Sequence, residues 1–180
     1  MLELVDRALQ WLVRHQINNV PVPVHPLMAA GYPSLFADEG YEAWLPIAST
    51  VTTRQLAELE ATLGYSLPAS YKAFLQHKHF YELTIGQAEF FAHPPDEWLQ
   101  VLREEMLQSG PAALDQTGLL PFASWGGAGD ELCFDTTQPK PAAEYPVMLW
   151  HHEDGRTKLF SANFAALWPQ LLAETPERAI

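Results

Sequence analysis

A chain of 180 residues, 48% hydrophobic and 18% charged, supplies enough apolar side chains for one well-buried core, which excludes a disordered chain and most multidomain machines. Ten Lys and Arg against 22 Asp and Glu leave a net charge of -12, which opposes attraction to nucleic-acid phosphates or anionic lipid. The only cysteine, Cys133, excludes an intrachain disulfide; no apolar run reaches the ~18 residues of a membrane span and the start is not a basic-then-apolar leader, so a cytoplasmic protein is expected.

Leu2, Val5, Ala8, Leu9, Leu12 and Val13 recur at helical spacing, which predicts an amphipathic helix over the first seventeen or so residues, ended at Asn18-Asn19. The alternate prolines from Val20 to Pro26 forbid helix and central strand alike, and an irregular stretch continues to Pro46. Residues 1–49 thus read as a helix and a proline-rich arm packed on the core. The arm lacks the PxxP spacing of a docking ligand.

Thr52 followed three residues later by Gln55 is a capping-box arrangement; Leu56, Leu59 and Leu63 line one face behind it, and Gly64 suits a left-handed C-cap. Leu67-Pro68 places proline in a first helical turn, with Tyr71, Phe74 and Leu75 as the buried stripe, so two short helices form a hairpin. Residues 81–85 and 88–91, joined at Gly86-Gln87, read as a β-hairpin. Pro95-Asp96-Glu97 opens a further helix with Trp98, Leu102 and Met106 on one face and Gly110 at its end, followed by a loop through Gly118.

The remainder reads as sheet: Leu119 to Phe122, Leu132 to Phe134, Val147 to Trp150 and Lys158 to Phe160. Asp154-Gly155 is the strongest turn signal, and as a two-residue type I′ loop it pairs Glu153 with Arg156, Trp150 with Lys158 and Met148 with Phe160. Ser161 is placed to cap a last helix carrying Phe164, Leu167, Leu171 and Leu172, with Pro169 expected to kink it.

This ordered series resembles the SUKH superfamily, which joins fungal cell-wall-synthesis regulators to bacterial toxin-immunity proteins. Its first block matches Leu63-Gly64, Leu67-Pro68, Tyr71 and Phe74-Leu75. Its middle block matches Leu120-Pro121-Phe122 and Gly129-Asp130-Glu131. Its closing block matches Pro146-Val147 and Ser161-Ala162-Asn163-Phe164. The blocks span about residues 50 to 175. Two departures stand out: Lys78-His79-Phe80 where the family often has an Asn-Gly turn, and Pro169 in the last helix. The resemblance implies an α+β domain over 50–180, with a mixed, mostly antiparallel sheet flanked by helices, and a binding rather than catalytic role without cofactor.

The motifs that carry chemistry are weak. Gly126-Gly127-Ala128-Gly129 does not complete a phosphate-binding GxGxxG, because the last glycine would fall on Leu132, and Asp130 and Glu131 would repel phosphate. His77 with His79, and His151-His152 with Glu153-Asp154, are metal-ligand types without a recognised spacing, so surface imidazoles are expected and no metal is assigned. Adjacent His151 and His152 point to opposite faces of a strand unless the strand has already ended. Strand alternation likewise puts Glu131, Cys133 and Asp135 on one face, where flanking carboxylates raise the thiol's pKa, and sets Glu131 and Asp135 about 13 Å apart, too far for a glycosidase acid pair.

Charge distribution remains. Residues 86–139 hold nine acids, among them Asp115, and one base, Arg103, so eight of the twelve net negative charges lie in 54 residues. An acidic surface that steers a basic partner, such as a toxin domain, is expected, with Trp125, Asp130, Glu131, Asp135, Glu153 and Asp154 as the partner-binding residues. A regulatory scaffold for cell-envelope synthesis is the alternative binding role. A small metal-dependent hydrolase using histidines and carboxylates is the alternative chemistry, and a pocket joining His151 or His152 to at least two acids would favour it.

Overall fold

The computed structural model describes residues 1–21, 23–108, 110, 118–137 and 143–173. The expected loop through Gly118, with Asp115, lies largely outside the described residues. Helix α1 (Leu2–Arg14) buries Val5, Ala8, Leu9 and Leu12, one stripe at helical spacing, and closes at His15, a turn short of the expected end. The arm is more regular than its prolines suggest. A two-residue strand β1 (Asn19–Val20) pairs with β2 (Glu42–Ala43), and β3 (Ile47–Ala48) pairs with β4 (Lys78–His79). Lys78-His79-Phe80 is therefore no turn; it fastens the arm to the core, with Phe80 bridging onward to His93.

Helix α2 (Thr53–Leu63) has the full capping box at Thr52 and Gln55, buries Leu56, Leu59 and Leu63, and ends on left-handed Gly64. Helix α3 (Ala69–Leu75) follows with Pro68 as its N-cap and buries Tyr71, Phe74 and Leu75. Strands β5 (Leu83–Ile85) and β6 (Ala88–Phe90) pair Ile85 with Ala88 across the two-residue Gly86-Gln87 loop. Helix α4 (Trp98–Gln108) buries Trp98, Leu102 and Met106.

A six-stranded sheet ordered β10-β9-β8-β7-β6-β5 adds β7 (Leu119–Trp125), β8 (Asp130–Asp135), β9 (Val147–Trp150) and β10 (Thr157–Ser161), and every described pair is antiparallel. The order follows the chain, so short loops suffice for the β5–β6 and β7–β8 connections. One face packs on α3 and α5 (Phe164–Ala173) through aromatic rings, with Phe122 stacked on Phe134 at 4.4 Å and Phe90 on Trp168 at 5.1 Å. Each such fully buried ring stabilises the fold by about 1.5–3 kcal/mol over an exposed one. The architecture is the expected α+β fold.

Two local expectations are corrected. The β9–β10 register is slipped by one residue: Trp150 pairs with Thr157, Leu149 with Lys158 and Met148 with Leu159. The His151 N–H donates to the Arg156 carbonyl, so residues 152–155 form a four-residue loop, and Asp154 Oδ1 accepts the Arg156 N–H at 2.9 Å. At α5 the cap is Asn163, whose Oδ1 accepts the Ala166 N–H at 2.8 Å, because Ser161 still belongs to β10. The helix runs through exposed Pro169 to Ala173, which withdraws a donor only from the carbonyl one turn back.

Candidate protein-binding site at the end of the sheet

Strand β8 decides where the acids go. Side chains alternate along it, so Leu132 and Phe134 enter the aromatic core while Glu131, Cys133 and Asp135 face the other way, and Asp130 lies on the core side at the rim. Asp130 pairs with Trp125 across the glycine-rich turn, whereas Asp135 pairs with Leu119 at the far end, about 17 Å along the strand. The acids of this strand do not form one surface, which corrects the expected patch.

Asp130 is the hub of the open end. Its Oδ2 lies 2.7 Å from His151 Nδ1, and its Oδ1 lies 2.9 Å from His152 Nδ1 and accepts the His152 N–H at 3.1 Å. These contacts, the His152 side chain first, lower the Asp130 pKa to about 2, so the group is an anion that only accepts. Both imidazoles therefore donate to the carboxylate from Nδ1. Gly129, at φ +96°, makes room: a Cβ there would press on the His152 ring at 3.2 Å. Strand β9 ends at Trp150, so His151 and His152 escape the alternation that would have separated them.

An open depression of about 600 Å³ follows, lined by Ala128, Asp130, His151, His152, Glu153, Asp154, Arg156, Thr157 and Lys158. Glu153 and Asp154 are exposed, and Asp154 Oδ2 sits 3.2 Å from Arg156 Nε. Trp125 is half-buried with its ring edge on Phe160 at 4.8 Å. Trp125, Asp130, Glu153 and Asp154 thus share one end of the sheet. Sequence reasoning missed His151 and His152 as Asp130's partners and Arg156 and Lys158 as cations beside them; a strand ended at Trp150 was the signal.

Glu131 and Asp135 leave this surface. Glu131 is 6% exposed, its Oε2 has no hydrogen-bond partner among the described residues, and burial first, then the nearby Glu105, raise its pKa to about 7. Asp135 accepts from the Thr137 N–H and hydroxyl at the opposite end. Cys133 is fully buried, and burial ahead of the Glu131 charge pushes its thiol up, so it is no nucleophile. On this second face Cys133 packs with Leu119, Trp150 and Met148.

His77, His79 and His93, unlike His151 and His152, are not surface imidazoles. His79 and His93 are fully buried with ring centroids 4.7 Å apart. His79 Nδ1 reaches the His93 carbonyl and His93 Nδ1 the Lys78 carbonyl, both at 2.9 Å, and burial pushes His93 down to about 3. They cement the β4 junction as neutral rings. His77 lies 2.9 Å from Asp6 and ties the end of α3 to α1. Among the described residues, no group of three or more His, Cys, Asp or Glu is arranged to hold a metal ion, and no helix is long and apolar enough to cross a membrane.

Comparison with known proteins completes the picture. The model of the SMI1/KNR4 family (SUKH-1) matches residues 50–168, from the residues before α2 into α5. A search of curated proteins finds no match. The match covers well over half of the chain and includes the whole Asp130 end of the sheet, while the helix and arm of residues 1–49 lie outside it: the chain belongs to the SMI1/KNR4 family (SUKH-1).

Proposed function

We propose that this chain is a non-enzymatic protein-binding domain of the immunity kind, which neutralises a basic toxin domain through the open end of its sheet. Family membership supports an immunity or regulatory domain. The finer reading rests on one observation: Asp130, Glu153 and Asp154 line one open depression, and Trp125 pairs with Asp130 at the same end of the sheet. Exposed Glu153 and Asp154 steer a cationic partner, anionic Asp130 stays fixed by two imidazoles, and Trp125 supplies an aromatic anchor.

Hydrolysis has one observation in its favour, since His151 and His152 contact Asp130 and line one depression with Glu153 and Asp154. Both rings, however, direct Nδ1 at Asp130, and among the described residues no group of three or more His, Cys, Asp or Glu is arranged to hold a metal ion. Binding accounts for the site better.

The test is to look for a toxin domain encoded beside the gene, which the proposal expects there, and to co-express it with this chain in a bacterial host. Rescue of growth, with the toxin recovered intact in a one-to-one complex, is the expected result. Continued killing, or a chemically altered toxin in place of a complex, would overturn the proposal.

A further inference from the structure

A different surface lies in the arm, outside the family-matched residues. Leu27 is 71% exposed, Leu35 63%, Phe36 46% and Tyr32 37%, so four large apolar side chains meet water within ten residues of chain. Scattered singly such residues mean little, but here Phe36 and Tyr32 are linked through Tyr41, with Leu35 next to Phe36 in the chain. The Phe36 and Tyr41 rings pack at 5.9 Å, and Tyr41 and Tyr32 line one shallow depression of about 360 Å³ with Ala30, Pro33 and Ala43.

The segment is built to hold them outward. Buried Ser34 accepts the Phe36 N–H on its Oγ, its carbonyl accepts the Ala37 N–H, and the Phe36 carbonyl accepts from Glu39 and Tyr41, making a short 3-10 turn. Asn18 donates to Tyr32 Oη at 3.0 Å, and Ala30 donates to the Ala43 carbonyl at 3.1 Å. A turn so fixed loses little conformational entropy on binding. Its charge has one sign: no Lys or Arg occurs between Arg14 and Arg54, while Asp38, Glu39 and Glu42 flank the apolar side chains. Glu42 holds the Val24 N–H, but Asp38 and Glu39 are exposed and make no ion pair among the described residues.

We propose that residues 27–42 are a docking surface for an apolar segment of a partner protein whose flanking side chains are basic. Leu35 and Phe36 enter between the partner's apolar residues, and Asp38 and Glu39 meet its Lys or Arg. The acids disfavour a second copy, which would bring the same three carboxylates, and disfavour an anionic membrane. This surface stands whether or not the sheet end binds a toxin.

The test uses the full chain and two synthetic peptides, an amphipathic helix of leucine and lysine and the same helix with glutamate for lysine, titrated while backbone amide shifts are followed. The lysine peptide is expected to bind at least about tenfold tighter, with shifts concentrated in residues 27–42. The L35S/F36S double variant, which changes only exposed side chains, should weaken it about tenfold or more, and the D38K/E39K variant should reverse the preference. Equal binding of both peptides, shifts concentrated at residues 125–158, or unchanged affinity in L35S/F36S would overturn the proposal. So would self-association or binding to phosphatidylcholine vesicles that L35S/F36S abolishes.

Discussion

Asp130 and Glu131 are neighbours in one strand and opposites in physical state. Asp130, at the rim, is ringed by donors from His151 and His152 and is held at about 2; Glu131, turned through the sheet, is buried with an oxygen that has no partner among the described residues and is raised to about 7. The Asp-Glu pair looks like a doubled acidic signal in sequence. Strand alternation makes one a surface anion and the other a buried acid that releases its proton near neutrality. Counting carboxylates along a segment therefore overstates the charge that a partner meets.

The largest effect that sharpens this contrast is at Glu131. Between its ordinary value of 4.5 and about 7 the folded chain holds a proton that the unfolded chain has released, so stability falls as pH rises through that window. Glu131→Gln, which keeps the shape of the protonated acid, should leave stability unchanged at the acid end and raise it by on the order of 2–3 kcal/mol at the alkaline end, read by urea unfolding at both. Equal effects at both ends would return Glu131 to the surface.

Asp130 should respond with the opposite sign and less strongly. Its stabilisation is present above the ordinary 3.8 and is lost as pH falls towards 2, and solvent at the rim screens it. Asp130→Asn should cost about 1 kcal/mol or less at neutral pH and nothing at the acid end, with release of the 151–156 loop visible as faster amide exchange. Smaller still, Glu153→Lys and Asp154→Lys should each shift stability by no more than about 0.5 kcal/mol, since both are exposed. Cys133 gives a qualitative control: a thiol reagent should leave it unmodified in the native chain and label it in urea.

Local rules made most of the helices and strand centres legible. Thr52 with Gln55, Gly64, and the Gly86-Gln87 loop stand where their chemistry puts them, because each depends on residues within a few positions. The family blocks were legible for the same reason. What failed depended on distant partners. The Asp154-Gly155 signal gave way to a longer loop because Asp130, some twenty residues earlier, takes the His152 N–H and both imidazoles. The burial of His79 follows from β3 of the arm pairing onto β4, and that of Glu131 from what covers the far face, neither of which a residue's own neighbours reveal.

Binding through the open end of the sheet is tested most directly by titrating the cognate toxin domain against the wild-type chain and the E153K/D154K variant at several salt concentrations. Wild-type affinity is expected to fall steeply with salt, and the variant to bind at least about tenfold more weakly with a flatter dependence. Identical affinities and identical salt slopes would place the contact elsewhere on the molecule and contradict the account.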